Sequence, residues 1–155
     1  MKINDRVPSF SLPDQNGTVR SLEELTAAGP VVLFFYPMAS SAGCTKEACH
    51  FRNLETEFAT AGATIVGISK DSPARQLDFA TKNKLTYPLL SDADGEVADV
   101  FDVRRRLLAK TLPSKRATFI VDQAGILRFS VSSETNMDVH ADQALAALVE
   151  ISAGA

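Results

Sequence analysis

No apolar run in this 155-residue chain approaches the roughly 20 residues a membrane-spanning helix needs. Nor is there an internal repeat, a low-complexity tract or a linker. Residues 1–155 therefore read as one domain, large enough for a full hydrophobic core. Met1-Lys2-Ile3-Asn4-Asp5 is not followed by an apolar signal segment, so a cytoplasmic protein is expected. Positive charge is not in excess: 16 Lys and Arg against 19 Asp and Glu leave a net charge of −3. That argues against nucleic acid as a partner. Cysteine is scarce, with only Cys44 and Cys49. In a reducing compartment a disulfide is more often catalytic than structural, and a staple across so short a loop would stabilise little. Cys44, Cys49 and His50 fit no common zinc spacing, and only His140 could complete such a set. No metal and no other cofactor is expected.

Asn16-Gly17 between Ser9-Phe10-Ser11-Leu12 and Thr18-Val19-Arg20 reads as an N-terminal β-hairpin. Val31 to Tyr36 is a continuous β-branched and aromatic run, the pattern of a strand buried on both faces; Pro37 ends it. Residues 44 to 61 read as a helix with Ala48, Phe51, Leu54 and Phe58 inward, closed by Gly62. Ala63 to Ile68 is a second buried strand, so strand, helix and strand make a parallel βαβ unit. Ser72 and Pro73 open a helix as cap and first residue, running to about Asn83. Tyr87 to Leu90 is a short strand, and Glu96 to Phe101 a helical stretch. Ala117 to Val121 and Ile126 to Val131 form an antiparallel pair. A last helix over about Asp138 to Ile151 places Val139, Leu145, Leu148 and Val149 inward. The order implies an α/β fold: a central mixed sheet flanked by helices on both faces, with thioredoxin-like topology.

The segment from Tyr36 to Arg52 leaves the C-terminal end of a buried strand and enters a helix, where active sites of open α/β sheets collect. Gly43 lets the backbone approach a bound group closely. Cys44 stands in the first helical turn, where free N–H groups and the helix dipole favour a thiolate, the nucleophilic form of cysteine. Arg116, just before the strand 117 to 121, is the candidate cation, and Ser41 the candidate hydroxyl beside the sulfur. Glu47 is placed to pair with an arginine.

Pro37-x-x-x-Ser41-x-x-Cys44 resembles the peroxiredoxin signature. Gly43-Cys44-Thr45-Lys46-Glu47-Ala48-Cys49-x-Phe51-Arg52 resembles the bacterioferritin comigratory protein branch, also called PrxQ. The likeness runs from Val7-Pro8-x-Phe10-x-Leu12-Pro13-Asp14 to the last helix, and Arg116 is similar to the family's active-site arginine. The resemblance implies a thiol-dependent peroxidase with hydrogen peroxide and organic hydroperoxides as substrates. It gives Cys44 the attack, Cys49 the resolving role, Pro37 the shielding of the sulfur, and the backbone N–H groups of Gly43 and Cys44 part of peroxide binding. A Cys44–Cys49 disulfide would be recycled by thioredoxin or a similar dithiol. Relatives of the branch are often monomers, and some form dimers. Ser41 and Ala42 depart from the common threonine and proline. Serine lacks the methyl group that fixes the threonine rotamer, and Ala42 leaves φ less restricted. An ideal helix sets the Cα atoms of Cys44 and Cys49 about 8.7 Å apart, beyond the roughly 7 Å a disulfide spans. The helix start must therefore unwind before such a bond closes.

Two other readings stand beside this one. Cys49 could be a spectator in a one-cysteine peroxidase. The chain could also be a protein thiol-disulfide oxidoreductase or redox sensor, although it lacks a Cys-x-x-Cys pair. Arg104-Arg105-Arg106 with Lys110, Lys115 and Arg116 reads as a basic, solvated loop over Leu107, Leu108 and Leu112, and His50 as a surface or partly buried helix residue.

Overall fold

Asp14 builds the first tight turn by accepting from the backbone N–H groups of Asn16 (2.8 Å) and Thr18 (3.0 Å). Gly17, at φ 79°, supplies the left-handed step. The turn joins β1 (Ser11–Pro13) to β2 (Val19–Ser21) as an antiparallel hairpin. A short helix, α1 (Leu22–Leu25), leads to β3 (Val31–Phe35), α2 (Ala42–Asn53), α3 (Glu55–Thr60), β4 (Thr64–Ser69) and α4 (Pro73–Asn83). Then come β5 (Leu89–Ser91), α5 (Glu96–Val100), β6 (Arg106–Leu107), β7 (Lys110–Thr111), β8 (Ala117–Val121), β9 (Leu127–Ser132) and α6 (Asp138–Ala153). The computed structural model describes residues 1–104, 106–107, 110–111 and 114–153, with 106–107, 110–111 and 152–153 described by their backbone alone.

The main sheet has the order β5-β4-β3-β8-β9. β3 pairs in parallel with β4 and antiparallel with β8, which makes the sheet mixed. Alternation along β3 divides the core. Val31, Leu33 and Phe35 face a cluster with Leu22, Val97 and Phe101, whereas Val32, Phe34 and Tyr36 face one with Phe51, Phe79 and Leu148. Helices thus cover both faces, as the thioredoxin-like reading expects. Phe34 stacks on Phe51 with ring centroids 4.4 Å apart. Each fully buried Phe contributes about 1.5–3 kcal/mol, so packing anchors the middle of α2 firmly to the sheet.

Three expectations need correction. The helix expected over 44 to 61 begins two residues earlier and breaks at Leu54, whose N–H is shared between the carbonyls of His50 and Phe51. In α6 the buried face is His140, Ala141, Ala144 and Leu148, and Val149 is 61% exposed rather than inward. The basic stretch is not one solvated loop. Arg106–Leu107 and Lys110–Thr111 pair as a two-stranded ribbon, Arg104 bonds Asp99 at 2.6 Å, and Arg116 is buried. Arg105, Leu108 and Leu112, with the packing expected of Leu107, lie outside the described residues or side chains. No helix among the described residues is long and apolar enough to cross a membrane.

Candidate active site

The loop from β3 to α2 is fixed by polar groups at its base. Tyr36 donates its backbone N–H to Ile68 (3.1 Å) and its hydroxyl to the Gln76 side chain, and its carbonyl accepts from the Ser114 hydroxyl (3.3 Å). The buried Asp71 carboxylate accepts from the Ala39 N–H at 2.7 Å and from the Ser69 hydroxyl at 2.8 Å. Ser40 takes the left-handed conformation, φ 66°, rare for a residue with a side chain. The turn so made delivers Ser41 as the N-cap of α2. Ser41 Oγ accepts from the Cys44 N–H (3.3 Å) and donates to the Met38 carbonyl (3.1 Å). Its hydroxyl is therefore occupied in both directions. Pro37 and Met38 border an open depression also lined by Lys70, Asp71, Ser72 and Arg75.

Cys44 is the third residue of α2, 1% exposed, with a free thiol. Arg116, 5% exposed, reaches it from the residue before β8. One arm of the guanidinium, Nη2, donates to Cys44 Sγ at 3.2 Å, and the other, Nη1, to Glu47 Oε1 at 2.7 Å. The arginine backbone is held as well, its N–H by the Glu134 carboxylate (3.0 Å) and its carbonyl by the Ser132 hydroxyl (3.2 Å). Gly43 lies beneath the guanidinium. A Cβ there would stand 3.4 Å from Arg116 Nη2 and 3.4 Å from Met137 Sδ.

Glu47 is fully buried. Burial pushes its carboxyl up to about 8, against the downward pull of Arg116. Burial also works against the Arg116 charge, but Glu47 and Cys44 outweigh it and raise its pKa further. Behind this pair stands the buried His140. Its Nε2 faces the Ser133 carbonyl (2.9 Å), which assigns the ring proton there and leaves Nδ1 to accept from the Thr118 hydroxyl (2.9 Å). Burial holds His140 below its usual pKa, and so neutral. Glu47 Oε2 lies 3.6 Å from Nδ1, too far for a hydrogen bond. By sequence alone His140 stands out only as a possible metal ligand. A single polar residue, Thr118, within the otherwise apolar Ala117–Val121 was the available sign of a buried polar partner.

Cys49 points elsewhere. It is partly exposed, and its Sγ approaches Asn83 Oδ1 of α4 at 3.7 Å. Both cysteines lie in the unbroken Ala42–Asn53 helix, so the separation of about 8.7 Å for an ideal helix applies to them. His50 pairs with Asp142 of α6 at 2.8 Å on the surface. Among the described residues no group of three or more His, Cys, Asp or Glu side chains is arranged to hold a metal ion.

Residues 3–130 match the AhpC/TSA family. The peroxidoxin BcpB of Mycobacterium tuberculosis is 54% identical, with a TM-score of 0.94 over 97% of this chain and 98% of that one. The bacterioferritin comigratory protein of Xanthomonas campestris, whose structure is described for alkyl peroxide reduction, is 32% identical. Its TM-score is 0.82 over 92% of this chain and 91% of that one. A chloroplastic peroxiredoxin Q of Populus jackii is 38% identical over 138 residues, which are 89% of this chain and 63% of the relative. With a family match over most of its length and relatives of this kind, the chain belongs to the AhpC/TSA family and, within it, to the PrxQ or bacterioferritin comigratory protein branch of the peroxiredoxins.

Proposed function

We propose that this chain is a thiol-dependent peroxidase in which Cys44 attacks a hydroperoxide and Cys49 resolves the product. The observation that carries the reading is the guanidinium of Arg116 donating to Cys44 Sγ at 3.2 Å inside a buried site. A cation there favours the thiolate over the thiol. The thiolate attacks the distal oxygen of ROOH. The S–O bond forms as the O–O bond breaks, and the alkoxide leaves and takes a proton from solvent. Cys44 is then a sulfenic acid. The negative charge moves from sulfur to the leaving oxygen within reach of Arg116, so the same donor serves both ends of the step. Cys49 condenses with the sulfenic acid to give a disulfide and water, and an external dithiol such as thioredoxin reduces it by exchange.

Glu47 acts on the reaction through Arg116, holding one arm so that the other aims at sulfur. Ser41 supplies the helix cap that presents Cys44 in the first turn, a role added to the peroxide contact expected of its hydroxyl. The apolar Pro37 and Met38 beside the loop, and the alkyl peroxide activity described for the Xanthomonas relative, support organic hydroperoxides as substrates alongside hydrogen peroxide. Two free thiols suit a reducing compartment such as the cytoplasm.

Two variants test the assignment. Cys44→Ser should abolish peroxide consumption, because a serine hydroxyl stays protonated where a thiolate is needed. Turnover above the buffer rate in that variant would remove Cys44 from its role. Cys49→Ser should reduce one equivalent of peroxide and stop at the sulfenic acid or a more oxidised state. Undiminished thioredoxin-linked turnover would instead assign a one-cysteine cycle.

A further inference from the structure

The half of α2 that carries Cys49 is tied from outside the helix by groups with no part in peroxide attack. The buried phenol of Tyr87 donates to the Ala48 carbonyl at 2.7 Å. Arg52 Nη1 donates to the Asn83 carbonyl at 2.7 Å. Cys49 Sγ donates to Asn83 Oδ1 at 3.7 Å, while Asn83 Nδ2 is fixed by the Phe79 carbonyl at 3.0 Å. Asn83 thus accepts from two residues of α2 through its backbone and side-chain oxygens, with its amide group oriented by its own helix. Burial holds the Tyr87 hydroxyl firmly protonated, so it remains a donor at any physiological pH.

We propose that Tyr87, Arg52 and Asn83 form a clasp on the resolving half of α2, and that opening it sets the rate at which Cys49 reaches the Cys44 sulfenic acid. The inference rests on the two-cysteine reading above. Resolution joins Cys44 S–OH and Cys49 S–H into a disulfide and releases water, after a hydroperoxide has supplied the oxidation. With the Cα atoms about 8.7 Å apart in an intact helix and a limit of about 7 Å for the bond, the sulfurs meet only after the helix opens. The Cys49–Asn83 bond must break for the thiol to attack at all. The two bonds beside it hold the adjoining residues, Ala48 and Arg52, to the connection before β5 and to the end of α4. A closed clasp prolongs the sulfenic acid, and during that time a second hydroperoxide can carry it to sulfinic acid. Tyr87, Arg52 and Asn83 are positioning residues in this scheme. They act through Cys49 and touch neither peroxide nor Cys44.

The test separates the two chemical steps. Reduced protein is mixed with one equivalent of hydrogen peroxide. Peroxide loss is followed by stopped flow, and the 44–49 disulfide is timed by acid quench, alkylation and mass spectrometry. Tyr87→Phe removes the bond to Ala48 and Arg52→Gln the bond to Asn83, each worth on the order of 1 kcal/mol, so each should speed disulfide formation about fivefold; the Arg52 bonds to its neighbour Asn53 stay within α2 and tie it to no other element. Peroxide loss should stay within about twofold of the parent, since attack needs only Cys44 and its own neighbours. Arg52→Lys, which keeps a cationic donor near the Asn83 carbonyl, should return toward the parent rate. The bonds belong to the dithiol form, so their loss should also lower the reduction potential by about 20 mV, the equivalent of fivefold for a two-electron couple. Sulfinic acid formed per turnover should fall about fivefold, in step with the shorter sulfenic lifetime. If Tyr87→Phe fails to fold, Arg52→Gln at the partly exposed position carries the test. Disulfide formation at the parent rate in the folded variants would overturn the clasp and leave the two-cysteine reading intact. No 44–49 disulfide in the parent would overturn both.

Discussion

Removing the Arg116 guanidinium together with the Glu47 carboxyl group is the sharpest test of the site's electrostatics. Deleting the arginine alone would leave the buried Glu47 carboxyl without the donor it bonds, a cost of about 1–3 kcal/mol in stability. The double variant Arg116→Met, Glu47→Gln removes both partners of that bond, and what it loses is the attraction between guanidinium and sulfur. Nη2 lies 3.2 Å from Sγ, and the arginine side chain is 6% exposed, so solvent screens it little. With charge centres about 4 Å apart and an effective dielectric constant near 20, that attraction is about 4 kcal/mol. Water entering the vacated space returns part of it, and the transition state spreads charge toward the leaving oxygen. A net loss of about 3–4 kcal/mol, comparable to removing an oxyanion-hole donor, lowers the second-order rate with peroxide about a hundred- to a thousandfold. Stopped-flow mixing of reduced protein with excess hydroperoxide, read through the ultraviolet absorbance of the thiolate, measures it. A thermal melt establishes that the variant is folded. A rate within about threefold of the parent at neutral pH, less than 1 kcal/mol, would refute the electrostatic account.

The other expectations are narrower. Ser41→Ala should lose about 1 kcal/mol of stability with its helix cap, lowering the melting temperature by about 2–4 °C for a chain of this length. Ser41→Thr should retain most of it, and an unchanged melt for the alanine variant would remove the cap from the argument. Burial raises the Glu47 pKa from 4.5 to about 8, so between those values the folded state keeps a proton the unfolded chain has lost. Its contribution is then complete below about pH 4.5 and is lost as pH rises toward about 8. Urea midpoints across that range should fall more steeply for the parent than for Glu47→Gln, and parallel curves would contradict this. Finally, the amides of residues 44 to 50 should lose hydrogen-exchange protection on oxidation. Unchanged protection in protein whose 44–49 disulfide is established by mass spectrometry would sink the unwinding argument.

The strands and the first turn of α4 were legible because their signals are local. Val31–Phe35 is apolar at every position and is buried at every position. Ser72 and Pro73 cap and open α4 at the residues expected, with Ser72 Oγ accepting from the Arg75 N–H. The break between α2 and α3 carried no such sign. Neither Pro nor Gly marks Leu54, and apolar spacing continues through it from Phe51 to Phe58. The phase of α6 was misread for a related reason. Val139, Ala141, Ala144, Leu145, Ala147, Leu148 and Val149 offer apolar groups around much of the helix, so periodicity alone could not choose a face. Close packing of α6 against β8 and β9 selected the small residues Ala141 and Ala144. The buried polar groups behind the site were least legible, because their partners lie far apart in sequence: Thr118 with His140, Tyr87 with Ala48, Ala39 with Asp71.

Glu47 joins these two levels. As a contribution to stability it is a poor choice, since an apolar residue of similar volume avoids desolvating a carboxyl group. Its position explains it better. One turn beyond Cys44, it faces the same side of α2, and Arg116 can reach both only by presenting one arm to each. The carboxyl oxygen that accepts from Nη1 fixes the guanidinium plane, and the fixed plane aims a donor at sulfur. Glu47 also stands between the two cysteines, within the stretch that must open if they are to bond. In the proposed cycle, opening that stretch draws Glu47 away from Arg116 at the moment when Cys44, as a sulfenic acid, no longer carries the charge that the arginine faces. We propose that the side chain that sharpens the attack is also a restraint on resolution. Glu47→Gln should slow peroxide reduction while speeding disulfide formation, two opposite changes from one substitution. A variant in which both steps moved the same way would separate the aiming role from the restraint.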